Sequence, residues 1–175
     1  SPITLPIDPT ALTPVYNGPS NSADAWVHDL QFDGSGNPVI AFATYANSHN
    51  PRYRYARHNG SSWSVNEVAA GGDNAITPFN DLQPFYTGGF CIDPADVNIV
   101  YFGQLYLETW RMMRGVTADG GANWTFTVKG DSAGVITEKL MRPFVVPGQT
   151  AQPRLALEGD QHRDKGRIHP ARGPP

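Results

Sequence analysis

His28, His49 and Tyr86 are the side chains in this sequence whose types fit one reaction. His28 sits in an apolar run, and His49 follows 21 positions later in a polar stretch. An imidazole titrating near neutrality can remove or deliver a proton at physiological pH. Tyr86 stands just ahead of Gly88 and Gly89, which let a chain or a sugar come close. A general base, a proton donor and a group that neutralises a carboxylate are what β-elimination from a uronic acid requires. The C5 proton is only weakly acidic until the neighbouring carboxylate is neutralised. A histidine or tyrosine then takes it, and a tyrosine or histidine protonates the leaving oxygen. Each residue also has an ordinary use, a strand histidine as a satisfied polar group and a tyrosine as packing. His58 falls in a turn, and His162 and His169 fall in a polar tail, so none of the three is a candidate. No His/Cys/Asp cluster has ligand spacing, so neither a metal nor a cofactor is expected.

Short strands would have to carry these side chains. Residues 1–24 are rich in Pro, Asn and Ser and read as an extended lead-in. Residues 25–32 follow a strand pattern, and alternation predicts Trp26, His28, Leu30 and Phe32 on one face. A turn at 33–38, a strand at 39–45, a loop containing His49, a strand at 53–57, a turn at His58-Asn59-Gly60 and a strand at 63–68 follow. Four strands in about 45 residues is the size of one propeller blade. A second unit runs through 86–93, 99–104, 109–116 and 124–128, and residues 141–147 open a third. The expected fold is all-β: a partial β-propeller of about two and a half four-stranded antiparallel blades over residues 25–150. Eight of the 29 charged residues fall in the last 25 positions, which hold no aromatic residue. Residues 151–175 therefore read as a disordered or frame-shifted tail.

The clearest local signature is Thr117-Ala118-Asp119-Gly120-Gly121-Ala122-Asn123-Trp124, the Asp-box pattern Ser/Thr-x-Asp-x-Gly-x-x-Trp. Asp119 can accept hydrogen bonds from the amides of its own turn. Gly121 can supply a positive φ, Thr117 can close the turn with its hydroxyl, and Trp124 offers an apolar plate to the neighbouring sheet. This is a fold signal rather than a catalytic one. Ala56, His58, Gly60 and Trp63 form a decayed copy of the same box in the first unit.

Composition narrows the remaining possibilities. The 175 residues suffice for one domain with a core, and 18 glycines and 16 prolines punctuate the chain without a long helical period. A formal net charge of −3 gives no reason to expect nucleic acid or an anionic membrane as partner. The single cysteine, Cys91, lies in an apolar run and reads as a buried free thiol. No apolar run reaches the roughly 18–20 residues of a membrane span. No signal peptide is visible, and the opening Ser1-Pro2-Ile3 lacks a start methionine, so an upstream segment is expected to be missing.

Read together, His28-Asp29-Leu30-Gln31-Phe32-Asp33, Asn37-Pro38-Val39-Ile40-Ala41-Phe42-Ala43, the stretch from Tyr53 to Trp63, Tyr86-Thr87-Gly88-Gly89-Phe90-Cys91-Ile92-Asp93-Pro94, Val100-Tyr101 and Arg142-Pro143 resemble the BNR-repeat (Asp-box) propellers of the sialidase-like superfamily. The similarity covers residues 25–147 and is greatest to seven-bladed ulvan lyases and related uronate polysaccharide lyases. It implies that His28, His49 and Tyr86 line an active groove, with base and acid drawn from histidine and tyrosine. It also implies an acidic polysaccharide as partner and a secreted or periplasmic parent protein. That family places an arginine after the Val-Tyr strand to neutralise the uronate carboxylate. This chain has Gln104 there, which hydrogen bonds a carboxylate without cancelling its charge. Gln104 and Arg111 are the expected substrate-binding residues, although Arg111 also fits a surface position beside Trp110.

Two other functions fit parts of the pattern. One is a non-catalytic carbohydrate-binding or interaction propeller, or an inactive remnant, using Tyr45, Tyr53 and Trp110 as sugar platforms. The other is a sialidase-type glycoside hydrolase, which would need an arginine cluster and a Tyr/Glu pair. The sequence does not name the polysaccharide or the oligomeric state.

Overall fold

The structure, a computed structural model, describes residues 13–47, 50–72, 87–106, 109–131, 141–145 and 155–158. His49 and Tyr86 lie outside the described residues. After a single helical turn, α1 (Gly18–Asn21), the described chain is built of antiparallel strands.

The first sheet contains β1 (Asp24–Phe32), β2 (Pro38–Tyr45), β3 (Pro51–His58) and β4 (Trp63–Ala70), in that spatial order. The second contains β5 (Phe90–Asp93), β6 (Asp96–Tyr106), β7 (Thr109–Val116) and β8 (Thr125–Asp131), again in chain order. A last antiparallel pair joins β9 (Met141–Val145) to β10 (Leu155–Glu158). Strand β10 falls in the stretch that its charge content marks as a tail. Its Leu155-Ala156-Leu157 run pairs with Val145, Phe144 and Pro143.

The two meanders pack face to face. Alternation turns Val39, Ala41, Ala43 and Tyr45 of β2 and Tyr53 and Tyr55 of β3 toward Phe90 and Ile92 of β5 and Val97, Val100 and Phe102 of β6. All of these side chains are buried. Small residues on β2 leave room for the large rings of β3, whose Tyr53 lies 5.2 Å from both Phe90 and Phe102, centroid to centroid. Two phenols pin this apolar contact. Tyr53 donates to the Gly103 carbonyl at 2.6 Å, and Tyr55 donates to the Val97 carbonyl at 3.0 Å. The opposite face of the second sheet buries Cys91, Tyr101 and Met112, with Ile99 and with Val145 of β9. The second sheet thus stands between the first sheet and β9.

The predicted single face of β1 is divided in the structure. A β-bulge falls between Val27 and Asp29, so His28 is an extra residue in the register. Trp26 pairs with Ala43, and beyond the bulge Asp29 pairs with Ala41, so both lie on the side facing the second sheet. Leu30 and Phe32 pair with Ile40 and Pro38 and occupy the outer face. The extra residue moves the alternation by one position, which a pattern of period two cannot anticipate. Leu30 and Phe32 remain 49% and 62% exposed there, while Tyr16 covers Phe42 at 5.6 Å between ring centroids.

Candidate functional site

Strand direction sorts the residues to two ends of the stack. The turns 33–37, 59–62, 94–95 and 117–124 lie at one end. The start of β1, the β2–β3 connection, the end of β4, the entry to β5 and the β6–β7 connection lie at the other. His28, Thr87, Gln104, Tyr106 and Arg111 belong to this second end, as do Asn47 and Asn50, which flank the undescribed His49.

The bulge turns His28 toward the second sheet, where its Nε2 lies 3.4 Å from the Thr87 hydroxyl. Thr87 is buried, follows Tyr86 directly in the chain, and has its Oγ1 3.4 Å from the Gly89 amide. The next residue on β1 anchors the same approach. Asp29 Oδ2 accepts a 2.8 Å bond from the Ile92 amide, while Oδ1 accepts from the Leu30 amide at 2.8 Å. Thus one bulge places an imidazole and a carboxylate side by side against the entry and body of β5.

The glycines after Tyr86 bring chains together. A Cβ on Gly88 would sit 2.8 Å from Gly103 Cα and 2.8 Å from Trp110 Cζ3, so β5 approaches β6 where only hydrogen fits. Of the two partners the sequence left open, a chain or a sugar, the polypeptide itself fills the space beside Gly88.

Gln104 and Arg111 pair across β6 and β7. Gln104 Nε2 donates to the Ala70 carbonyl of the first sheet at 2.8 Å. Arg111 lies on β7 beside Trp110 with its side chain partly exposed. Its guanidinium carbon stands 4.9 Å from the centroid of the Tyr106 ring. Strand alternation places Gln104, Tyr106 and Arg111 on the face turned to the first sheet, in phase with buried Phe102. Tyr45, Tyr53 and Trp110 are not sugar platforms, because all three are buried. Among the described residues, the exposed rings at this end are Trp26 and Tyr106, at 60% and 50%. Sequence reasoning passed over both, together with Asp29. The signal for Trp26 was its place two residues before His28, and the false one-face pattern concealed it.

At the opposite end the 117–124 turn is closed by its own side chains. Thr117 Oγ1 donates to Asp119 Oδ1 at 2.9 Å and accepts from the Gly121 amide at 2.8 Å. Asp119 also accepts from the Asn123 amide at 2.8 Å and from its side-chain nitrogen at 2.7 Å. The Asn123 side chain, then its amide, then the Thr117 hydroxyl hold the Asp119 carboxyl down at about 2. Gly121 has φ of 100°, and a Cβ there would meet Tyr55 Cδ1 at 2.6 Å. Trp124 packs edge-on against Tyr55 at 5.3 Å and donates from Nε1 to the Gly121 carbonyl at 2.9 Å. In the first sheet's turn, His58 Nδ1 accepts from the Gly60 amide at 3.1 Å, and Asn59 Oδ1 accepts from the Ser61 and Ser62 amides at 3.0 and 2.9 Å. His58 and Asn59 divide here the task that Thr117 and Asp119 share in the 117–124 turn.

Arg57 connects the turns at this end. It bonds Asp33 Oδ2 at 3.1 Å and Asn98 Oδ1 at 3.0 Å, and the Asn98 carbonyl accepts from the Thr117 amide at 3.0 Å. The Asn37 amide, together with the Ser35 amide and Arg57, holds the Asp33 carboxyl below the usual carboxylate value. Burial pushes the Cys91 thiol up to about 12. Among the described residues, no group of three or more His, Cys, Asp or Glu side chains is placed to hold a metal ion, and no helix is long and apolar enough to cross a membrane.

No protein family, no characterised protein and no solved structure was found to match this chain.

Proposed function

We propose that this chain is part of an Asp-box β-propeller that acts on a uronic-acid-containing polysaccharide by β-elimination, with His28, His49 and Tyr86 supplying base and acid. The observation that carries this proposal is the bulge that turns His28 across to Thr87, the residue after Tyr86. Face-to-face stacking of two four-stranded meanders, with β9 on the far side, supports the propeller architecture. The β2–β3 connection that contains His49 leaves from the same end of the stack. In this mechanism one of the three groups removes the C5 proton, electrons shift to form the C4–C5 double bond, and another group protonates the departing glycosidic oxygen. Arg111 neutralises the neighbouring carboxylate, and this makes the C5 proton acidic enough to remove. A protein acting on such a polymer works outside the cytoplasm, in the periplasm or the medium.

A second function, carbohydrate binding without cleavage, is favoured by Gln104. Its side-chain amide is engaged with the Ala70 carbonyl, and a neutral residue stands where carboxylate neutralisation calls for a cation. Absorbance near 235 nm separates the two, because β-elimination creates an unsaturated uronate. Incubation with ulvan and other uronate polymers is expected to give a rise that His28→Ala, His49→Ala and Tyr86→Phe each abolish. A flat trace on every uronate polymer, from this chain and from any longer parent, excludes the lyase function.

A further inference from the structure

We infer that Trp26 and the Tyr106–Arg111 pair form a binding platform for an acidic oligosaccharide at the mouth of the seam between the two sheets. This rests on the acidic-glycan specificity proposed above, but not on cleavage. Trp26 lies in one cross-sheet row with Ala43 and Tyr53, as the register shows. The Tyr53 hydroxyl bonds the Gly103 carbonyl, so this row lies level with Gly103. Tyr106 stands three residues further along the same strand, about 10 Å by strand rise. Both rings face the seam from opposite sheets, at the end that carries His28, and both are at least half exposed. Their neighbours in the seam are closed: Tyr45, Tyr53 and Phe102 are buried.

The chemistry follows from this pairing. A wide exposed indole presents an apolar face to the C–H side of a pyranose ring. A guanidinium held over a phenol is positioned for a planar carboxylate, which it grips with two parallel N–H groups. An offset of about 10 Å along the strands and, because β1 lies two strands from β3, of about 10 Å across them suits separate sugars of one chain better than a single monosaccharide. A neutral glycan would use the indole and leave Arg111 unmatched, so the platform selects uronates.

The test is a binding titration of the whole chain, followed by tryptophan fluorescence and affinity electrophoresis, with ulvan oligosaccharides as the acidic probe and dextran as the neutral one. Ulvan oligosaccharides are expected to bind more tightly than dextran. Trp26→Ala should weaken ulvan binding about tenfold or more. Arg111→Gln should remove the preference over dextran, and Arg111→Lys should restore part of it. Thermal melts of all three variants, matched to the parent, show that the fold is kept. Unchanged affinity in Trp26→Ala and Arg111→Gln, or equal binding of the two probes by the parent, overturns the platform. Binding without a rise at 235 nm, in this chain and in any longer parent, leaves the platform standing and removes the lyase function. A rise at 235 nm that Trp26→Ala and Arg111→Gln leave untouched, in both rate and affinity, removes the platform and the role of Arg111 in cleavage while leaving the elimination itself standing.

Discussion

Asp29 Oδ2 accepts a 2.8 Å hydrogen bond from the Ile92 amide, joining the first strand of one sheet to the edge strand of the next. β5 pairs with β6 on one side only, so without Asp29 this amide would face an apolar seam unsatisfied. The bond also fixes the bulge that aims His28 at Thr87.

Asp29→Ala should therefore cost about 1–3 kcal/mol of stability. It should also lower any His28-dependent activity by more than the stability loss explains. Urea denaturation measures the first effect, and turnover at a temperature where both proteins are folded measures the second. A variant with full stability would show that the Ile92 amide finds another partner.

Tyr53→Phe removes a hydroxyl and leaves the Gly103 carbonyl without its 2.6 Å donor inside the core. The ring still packs between Phe90 and Phe102, so the change isolates the polar contact. A loss of about 1–3 kcal/mol is expected in chemical denaturation.

Gly121→Ala meets two obstacles: a φ of 100° and a contact of 2.6 Å between the new Cβ and Tyr55 Cδ1. The expected cost exceeds about 1 kcal/mol. Near-ultraviolet circular dichroism should report the displaced Tyr55–Trp124 pair, since these rings touch edge-on at 5.3 Å.

Acid should loosen the 117–124 turn in a defined window. The Asp119 carboxyl is held at about 2, below its ordinary value of 3.8, so the folded chain favours the ionised form. This contribution is present above about pH 4 and is lost as pH falls toward 2. The Asp33 carboxyl is lowered too and acts in the same direction. Comparing the pH dependence of stability in the parent and Asp119→Asn isolates Asp119, because Asp33 is common to both. The variant should lose less stability than the parent between pH 4 and pH 2.

The Cys91 thiol, pushed up to about 12 by burial, should resist a chromogenic disulfide reagent at pH 8 in the native protein and react fully in denaturant. The unfolded chain releases this proton from about pH 9, where the folded chain retains it. Stability should accordingly fall as pH rises above 9. Rapid labelling of the native protein would show that Cys91 is reached from solvent.

Much of this architecture was legible in the sequence. Gly and Pro punctuation and alternating apolar residues indicate eight strands in two meanders, and residues such as Val39, Ala41, Phe90 and Val100 form the core that alternation requires. Thr117, Asp119, Gly121 and Trp124 could be read because each bond of that turn is local. What escaped was non-local. No spacing rule shows that Asp29 meets Ile92, or that Gln104 reaches Ala70, because these contacts span 63 and 34 residues. The bulge at His28 escaped for a different reason: one inserted residue leaves composition unchanged but reverses the face of every side chain after it. Trp26, concealed by that reversal, was grouped with Leu30 and Phe32 although it points the other way.

The hydroxyls of Tyr53 and Tyr55 meet β6 at Gly103 and Val97, six residues or about 20 Å apart. Greasy surfaces slide easily, but two separated dowels prevent both translation and rotation. The seam's aliphatic residues are thus free to drift over evolutionary time, provided volume is conserved, while the opening at its end keeps its alignment. Exchanging loop residues alone would reshape that opening, with the joinery underneath untouched.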